Sequence, residues 1–374
     1  MPLADKMTVR MPILAEWPLI CLCLILSGIG LVLIYSSTVP LGDAGKTFLY
    51  KQMMWLSMGL VLMALGTLSD YHVLERWGMW FYIGIIVALV VVWGAGKVIG
   101  GSRRWIEIGF MRFQPSEFAK LAVVVVLAKY FHTRCGRHGE DVRELFEPLL
   151  LTAIPVLLVL VQPDLGTAGI IVLVALSMAC FAGIGRRALK WVMGVLLVIL
   201  PVLVFMGDSI LMDYQKRRLL TYVNPDHDPL GAGYHIIQSQ IAIGAGGFFG
   251  QGFLQGTQNQ LMFLPVKHTD FIFSILAEEW GFLGCAAVLS LYGAVFLRGL
   301  AVAAGARDHF GALLTFGCTS VLFWHVTVNA GMVMGLLPVV GVPLSFISYG
   351  GSSLMASYMA ISAIANVSSR RFTY

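Results

Sequence analysis

Unbroken apolar runs, each long enough to cross a lipid bilayer and separated by short polar loops, limit what this chain can fold into. A spanning helix needs about 20 predominantly apolar residues. Lipid offers no partner to an unpaired backbone group, so such runs must be helical. The stretch Leu121–Leu127 is continuously apolar, and the period-two alternation of a membrane barrel is absent. Composition agrees: 58% of the 374 residues are hydrophobic and 12% are charged, where soluble domains carry about a quarter charged. The expected fold class is an all-α integral membrane protein.

Reading the runs in order gives ten helices, at about 17–36, 50–68, 74–95, 115–131, 149–162, 165–183, 189–206, 271–297, 310–333 and 344–367. They make residues 1–374 a single polytopic domain. A large structured extracytoplasmic loop, about 207–270, joins helices 7 and 8. Within it, Tyr234, Ile237 and Ile241 recur at helical spacing and predict an interfacial amphipathic helix, followed by a glycine-rich segment from Gly244 to Gly252. The first sixteen residues are mixed polar and the first apolar run reaches spanning length, so no cleavable leader is expected. The six cysteines, Cys21, Cys23, Cys135, Cys180, Cys285 and Cys318, include no CxxC pair and read as free thiols.

Loop charges orient the chain. The loops on the side of the two termini hold fourteen basic residues and the opposite loops ten. The excess puts both termini in the cytoplasm. Eight of the ten opposing charges fall in two longer outer loops, 96–114 and 207–270, which points to use of that charge outside the membrane.

Four charged outer segments and one Gly/Ser-rich stretch gather the chemistry. Lys267, His268, Thr269 and Asp270 stand at the mouth of helix 8, with Glu278 and Glu279 deeper in the same helix. Asp270 reads either as the helix N-cap or as a general base or cation ligand. Glu278 and Glu279 read as structural partners of a basic side chain or as a functional interior. The tip Gln162–Thr167 places Pro163 and Asp164 at a helix start. The loop from Gly101 to Lys120 combines Arg103, Arg104, Trp105, Arg112, Glu117 and Lys120. Glu117 and Lys120 read as a surface pair and Trp105 as an interfacial anchor; together the loop would suit a pyrophosphate carrying a sugar, since guanidinium groups grip phosphate oxygens bidentately. Lys216, Arg217 and Arg218 open the large loop, as a patch for anionic lipid or for substrate. Ser345–Ser353, including Ser348, is Gly/Ser-rich and permits close helix approach or contact with a ligand. No P-loop or Rossmann signature is present, so no nucleotide is expected, and no nucleic acid. The implied target is an amphiphile with an anionic head at the outer surface and its tail in the bilayer.

These segments resemble the SEDS family (shape, elongation, division and sporulation), through the HTDFIFS and AEEWG motifs of 268–281, the segment 228–239, the QPDLGT tip and the ISYGGSS stretch. Segments 228–239 and 256–260 look most like its elongation, RodA-type branch. The similarity covers essentially the whole chain. It implies a ten-helix, inverting peptidoglycan glycosyltransferase of the bacterial inner membrane, acting during cell elongation. Such an enzyme polymerises lipid II, a disaccharide-pentapeptide on undecaprenyl pyrophosphate, into β-1,4 glycan. The resemblance also implies a class B penicillin-binding protein (a transpeptidase) and rod-complex membrane proteins as partners. Onto this sequence it carries Asp270 as the catalytic carboxylate, Trp105, Glu117, Lys120 and Asp164 as residues needed for activity, and either Arg217 or Arg218. Arg103, Arg104, Lys267, His268 and Ser348 complete the expected substrate contacts. Asp270 is expected to act as the base or as ligand to a divalent cation, Mg2+ or Mn2+. The rival class is a lipid II flippase, which internal repeats and sites near the midplane would mark; the candidate groups cluster at one surface instead, and only Glu278 and Glu279, two to three turns into helix 8, keep transport open.

Overall fold

The computed structural model describes residues 16–99, 102–108, 111–134, 146–183, 194, 232–263 and 268–371. Among them the helices are α1 (Trp17–Thr38), α2 (Asp43–Leu68), α3 (His72–Ala95), α4 (Pro115–Thr133), α5 (Phe146–Val161), α6 (Leu165–Phe181), α7 (Ala232–Gly246), α8 (Thr257–Gln260), α9 (Ile272–Ala304), α10 (His309–Val333) and α11 (Gly351–Arg370). Nine of the ten expected spans coincide with α1–α6 and α9–α11; the seventh, 189–206, lies outside the described residues except for Gly194, and Lys216, Arg217, Arg218 and Lys267 lie outside them too. α1, α2, α3, α9 and α10 are each long and apolar enough to cross a membrane, and α5 and α6 are shorter apolar helices.

α4 is the axis of the bundle. Its run from Pro115 to Ala128 is buried on every side, which is why the sequence there is apolar all round rather than along one stripe. Pro115 occupies the first turn, where its missing N–H costs nothing. α10, α6 and α3 pack around it. Gly317 of α10 admits Val124 of α4 and the sulfur of Met178 of α6, leaving no room for a Cβ. α11 lies along α2, where Gly59 faces the Tyr358 ring and Asn366 donates to the carbonyls of Gly66 and Ser69, both at 2.6 Å. Small residues that let backbones approach, reinforced by polar bonds, are how helices associate in lipid.

Two features depart from the expectation. The loop between α3 and α4 folds into an antiparallel meander, β1 (Lys97–Ile99), β2 (Ser102–Ile108) and β3 (Met111–Phe113), in that order across the sheet. Lys97 pairs with Trp105, and Glu107 with Arg112. The molecule is thus mostly, but not wholly, helical. Second, α9 breaks at Gly281, whose φ of 66° is left-handed. The Gln251 and Gly252 N–H groups donate to the carbonyls of Glu278 and Glu279, and the Phe282 and Leu283 N–H groups donate to those of Gly247 and Phe248. The glycine-rich segment therefore supplies the bonds that an unbroken helix would make internally. The part of α9 after Gly281 is about 34 Å long and suffices to span a bilayer. Glu278 and Glu279 lie about two turns into α9, as expected, but just before the bend, and Glu279 meets Ser36 near the end of α1.

The amphipathic helix of the large loop is present as α7. It turns Ile236, Ser239 and Ala242 inward and leaves Ile241 45% exposed, so the stripe Tyr234–Ile237–Ile241 is its outer side. The final helix begins at Gly351 rather than 344, because residues 339–350 form an irregular strap.

Candidate active site

The strap, residues 339–350, is where the Asp270 segment, Gly166 of the 162–167 tip and, through His325, Lys120 of α4 meet. It is held from beneath by backbone contacts that only glycine allows: a Cβ at Gly30 of α1 would lie 2.7 Å from the Ile347 Cα, and one at Gly166 of α6 2.8 Å from the Val340 carbonyl. Tyr292 of α9 donates to the Ser345 carbonyl. Gln52 of α2 donates to the Ser348 carbonyl at 3.2 Å and accepts from the Gly350 N–H at 3.3 Å.

The loop carrying Asp270 is laid onto this strap. Ser348 Oγ donates to the Thr269 carbonyl at 2.6 Å while accepting from the Leu344 N–H at 2.8 Å. The Tyr349 N–H donates to the His268 carbonyl at 2.9 Å. His268 packs between Phe48 and Tyr349, with ring centroids 4.7 and 5.5 Å away. Asn329 of α10 uses one amide nitrogen for two carbonyls, Asp270 at 2.9 Å and Val342 at 2.7 Å. The Asp270 carboxylate lies against Gly341, where a Cβ would come within 3.3 Å of Oδ2 and where φ is 71°. α9 starts at Ile272 with Phe271 at the cap position, so Asp270 stands before the cap rather than forming it. Its side chain is half-buried.

One helical turn below Asn329, His325 ties a buried ionic cluster to the same strap. Glu117, Lys120 and His325 are 3%, 1% and 2% exposed. Lys120 Nζ lies 2.9 Å from Glu117 and 2.5 Å from His325 Nε2. His325 Nδ1 is 3.2 Å from the Pro343 carbonyl, which assigns the ring proton to Nδ1 and leaves Nε2 to accept from Lys120. The Ser353 hydroxyl also bonds Glu117. The expected surface pair is thus an interior one, three residues apart on one helix face and enclosed by α10 and α11.

Asp164 is buried and fully engaged. It caps α6 through the Thr167 N–H and hydroxyl at 3.3 and 3.0 Å, accepts from Gln114 Nε2 at 3.2 Å, and faces Arg104 at 3.6 Å. Arg104 also donates to the carbonyls of Gln162 and Pro163. Strand alternation separates it from its neighbours: Arg104 turns to the tip, whereas Arg103 is exposed and Trp105 half-buried. The structure therefore brings together Asp270, His268, Ser348 and, through His325 and the strap, Lys120 and Glu117; it joins Arg104 to Asp164 as a brace. Sequence reasoning missed His325, Asn329, Gln52 and Tyr292. The signal for the first two was present, since polar residues four apart in an apolar helix share one face and are costly in lipid.

Known proteins show the same plan. The FtsW/RodA/SpoVE model, described as a cell cycle protein, matches residues 17–372. The chain belongs to this family. Peptidoglycan glycosyltransferase MrdB of Escherichia coli K12 is 40% identical over 342 residues, 91% of each chain. Peptidoglycan glycosyltransferase RodA of Treponema pallidum is 33% identical, covering 95% of this chain and 98% of that one. A solved chain from a study of polymerisation and crosslinking by a peptidoglycan synthase complex superimposes with a TM-score of 0.81 at 31% identity, covering 96% of this chain and 99% of that one. The rod shape determining protein RodA of Thermus thermophilus does so at 0.72 and 29%, covering 96% and 98%.

For this FtsW/RodA/SpoVE protein the donors near Asp270 can be tested against a divalent cation. No group of three or more His, Cys, Asp or Glu among the described residues could hold a metal ion. A cage built from protein alone does not fit. A single half-buried carboxylate does fit an ion completed by water and substrate phosphates, the usual arrangement for Mg2+.

Proposed function

We propose that this protein polymerises lipid II into β-1,4 glycan at the outer face of the bacterial inner membrane, with Asp270 at the reacting centre. Kinship over nine-tenths of the chain with proteins named as peptidoglycan glycosyltransferases carries the reading. The half-buried Asp270 carboxylate, on a backbone held at Thr269 and at Asp270 itself, gives it a site.

The donor sugar is α-linked to pyrophosphate and the product is β-linked, so the transfer inverts. An inverting displacement requires removal of the proton from the acceptor 4-hydroxyl as the bond to the anomeric carbon forms, and positive charge to stabilise the departing pyrophosphate. Asp270 takes that proton on Oδ1 or Oδ2. Asn329, Ser348 and the Tyr349 N–H hold the backbone on either side of it, so the carboxylate is positioned before substrate arrives. Arg103, exposed on β2, and Arg217 or Arg218 from the start of the large loop supply guanidinium groups to the pyrophosphates, and Trp105 offers a face for sugar stacking. Lys120 and Glu117 act from behind the strap, and Arg104 with Asp164 fixes the tip that backs it. A divalent cation, held by Asp270 and substrate oxygens, would neutralise pyrophosphate charge.

The orientation has both termini in the cytoplasm, the partner is a class B penicillin-binding protein, and other rod-complex membrane proteins share the assembly. The transport alternative leaned on Glu278 and Glu279 as carboxylates inside helix 8. Glu278 instead accepts from the Gln258 and Asn259 N–H groups at 2.7 and 3.2 Å, capping α8. The decisive experiment incubates purified protein and transpeptidase partner with labelled lipid II and separates the products on a gel. Wild type should give long glycan and Asp270→Asn none, with the complex intact; near-normal polymer from the variant would remove Asp270 from the centre.

A further inference from the structure

The reaction leaves one buried group unexplained. Glu278 and Glu279, adjacent at the bend of α9, are 0% and 1% exposed, and no Lys or Arg among the described residues forms an ion pair with either. Two buried negative charges without a positive partner are strongly unfavourable. The two are not equivalent. Both oxygens of Glu278 are occupied, by Thr257 Oγ1 at 3.3 Å and the Gln258 and Asn259 N–H groups. Glu279 uses Oε1 alone, accepting from Ser36 Oγ and from Asn259 Nδ2 at 3.1 Å, while its buried Oε2 accepts no hydrogen bond. The Leu254 N–H is turned towards the same carboxylate. Nearby on α8, the buried Gln258 Oε1 is a second acceptor without a donor. Gln260 Nε2, on the same short helix, is a buried donor without an acceptor, so what is in surplus beside Glu279 is negative charge, which a cation corrects and a neutral donor does not.

We infer that Glu279 binds one monovalent cation, an alkali ion or a proton, at Oε2, and that this charge locks residues 246–260 and α9 onto the end of α1. The groups facing it are Ser36 from α1, Asn259 from α8 and the Leu254 N–H, with Glu278 as the neighbouring titratable group. The site is separate from Asp270 and does not rest on the reaction proposed above. Binding to the folded state alone raises stability by mass action, so the site is read by unfolding rather than by turnover.

The test follows thermal unfolding of the purified protein in detergent. In one arm Na+ or K+ replaces choline at constant ionic strength; in the other, pH is lowered without alkali ions. Wild type should gain a few degrees in one arm, which identifies the ion, and Glu279→Gln should respond in neither. A wild type flat in both arms, or a variant that responds like wild type, overturns the assignment. Should Glu279→Gln not fold, Ser36→Ala serves, because removing a donor from Oε1 must move the midpoint of the wild-type response. An unmoved midpoint also overturns it.

Discussion

Lys120 is a charged side chain with no exposure to solvent, held between Glu117 and His325. Removing one member of such a pair strands the other charge at a cost of about 3–5 kcal/mol, whereas replacing both by apolar groups of similar volume is close to neutral. Lys120→Met should therefore lower thermal stability steeply, and the double variant Glu117→Leu/Lys120→Met should recover most of the loss while polymerisation stays abolished. A double variant as unstable as the single one would mean that charge balance is not what holds the pair. Asp270 calls for a different measurement. An ion completed by substrate phosphates leaves the empty protein unchanged, so a chelator should stop polymerisation without moving the unfolding temperature, and added Mg2+ or Mn2+ should restore it. Unchanged turnover under chelation would leave Asp270 as base alone. The polar segment around Asp270 stands out in an apolar chain, so its place at the start of a helix was legible. Arg103 and Arg104 were not separable, because telling them apart needs the strand alternation of β2, and that stretch had been read as loop.

At the scale of elements, the long apolar helices were legible and their interruptions were not. The meander between α3 and α4 consists of strands of three to seven residues, too short to show a period against a basic, glycine-containing background. The break at Gly281 is hidden because glycine is tolerated within helices; the clue was the adjacent pair Glu278–Glu279, implausible in lipid. The late start of α11 follows from a strap whose bonds run to other helices, information that no local pattern carries. The same strap yields a prediction. Gly166, in the first turn of α6, leaves the Val340 carbonyl and a Val342 methyl 2.8 and 2.6 Å from where its Cβ would be. Gly166→Val should push residues 340–342 off α6, and since Val342 shares Asn329 with Asp270, the Asp270 loop moves with it. Polymerisation should fall by an order of magnitude or more, in line with the about 10²-fold cost of a 1 Å misplacement, while binding of the transpeptidase partner is kept. Full activity would show that the strap tolerates displacement and does not position Asp270.

Considered whole, the molecule places Asp270, the proposed reacting carboxylate, on a segment with no regular structure, yet ties that segment to most of the bundle. Bonds or close backbone contacts reach the strap and the Asp270 loop from α1 at Gly30, α2 at Gln52, α6 at Gly166, α9 at Tyr292 and α10 at His325 and Asn329. Active-site loops usually belong to the weakly held part of a protein and open before it unfolds. Here the loop cannot open without breaking contacts to five helices, so local and global stability are joined. Heating should accordingly abolish lipid II polymerisation and helical structure over the same temperature range, measured as residual glycan synthesis and as loss of the far-ultraviolet helical signal on matched samples. If activity disappears well below the helical transition, the strap is a separately opening unit. Preorganisation of Asp270 would then have to come from substrate or from the partner protein rather than from the bundle.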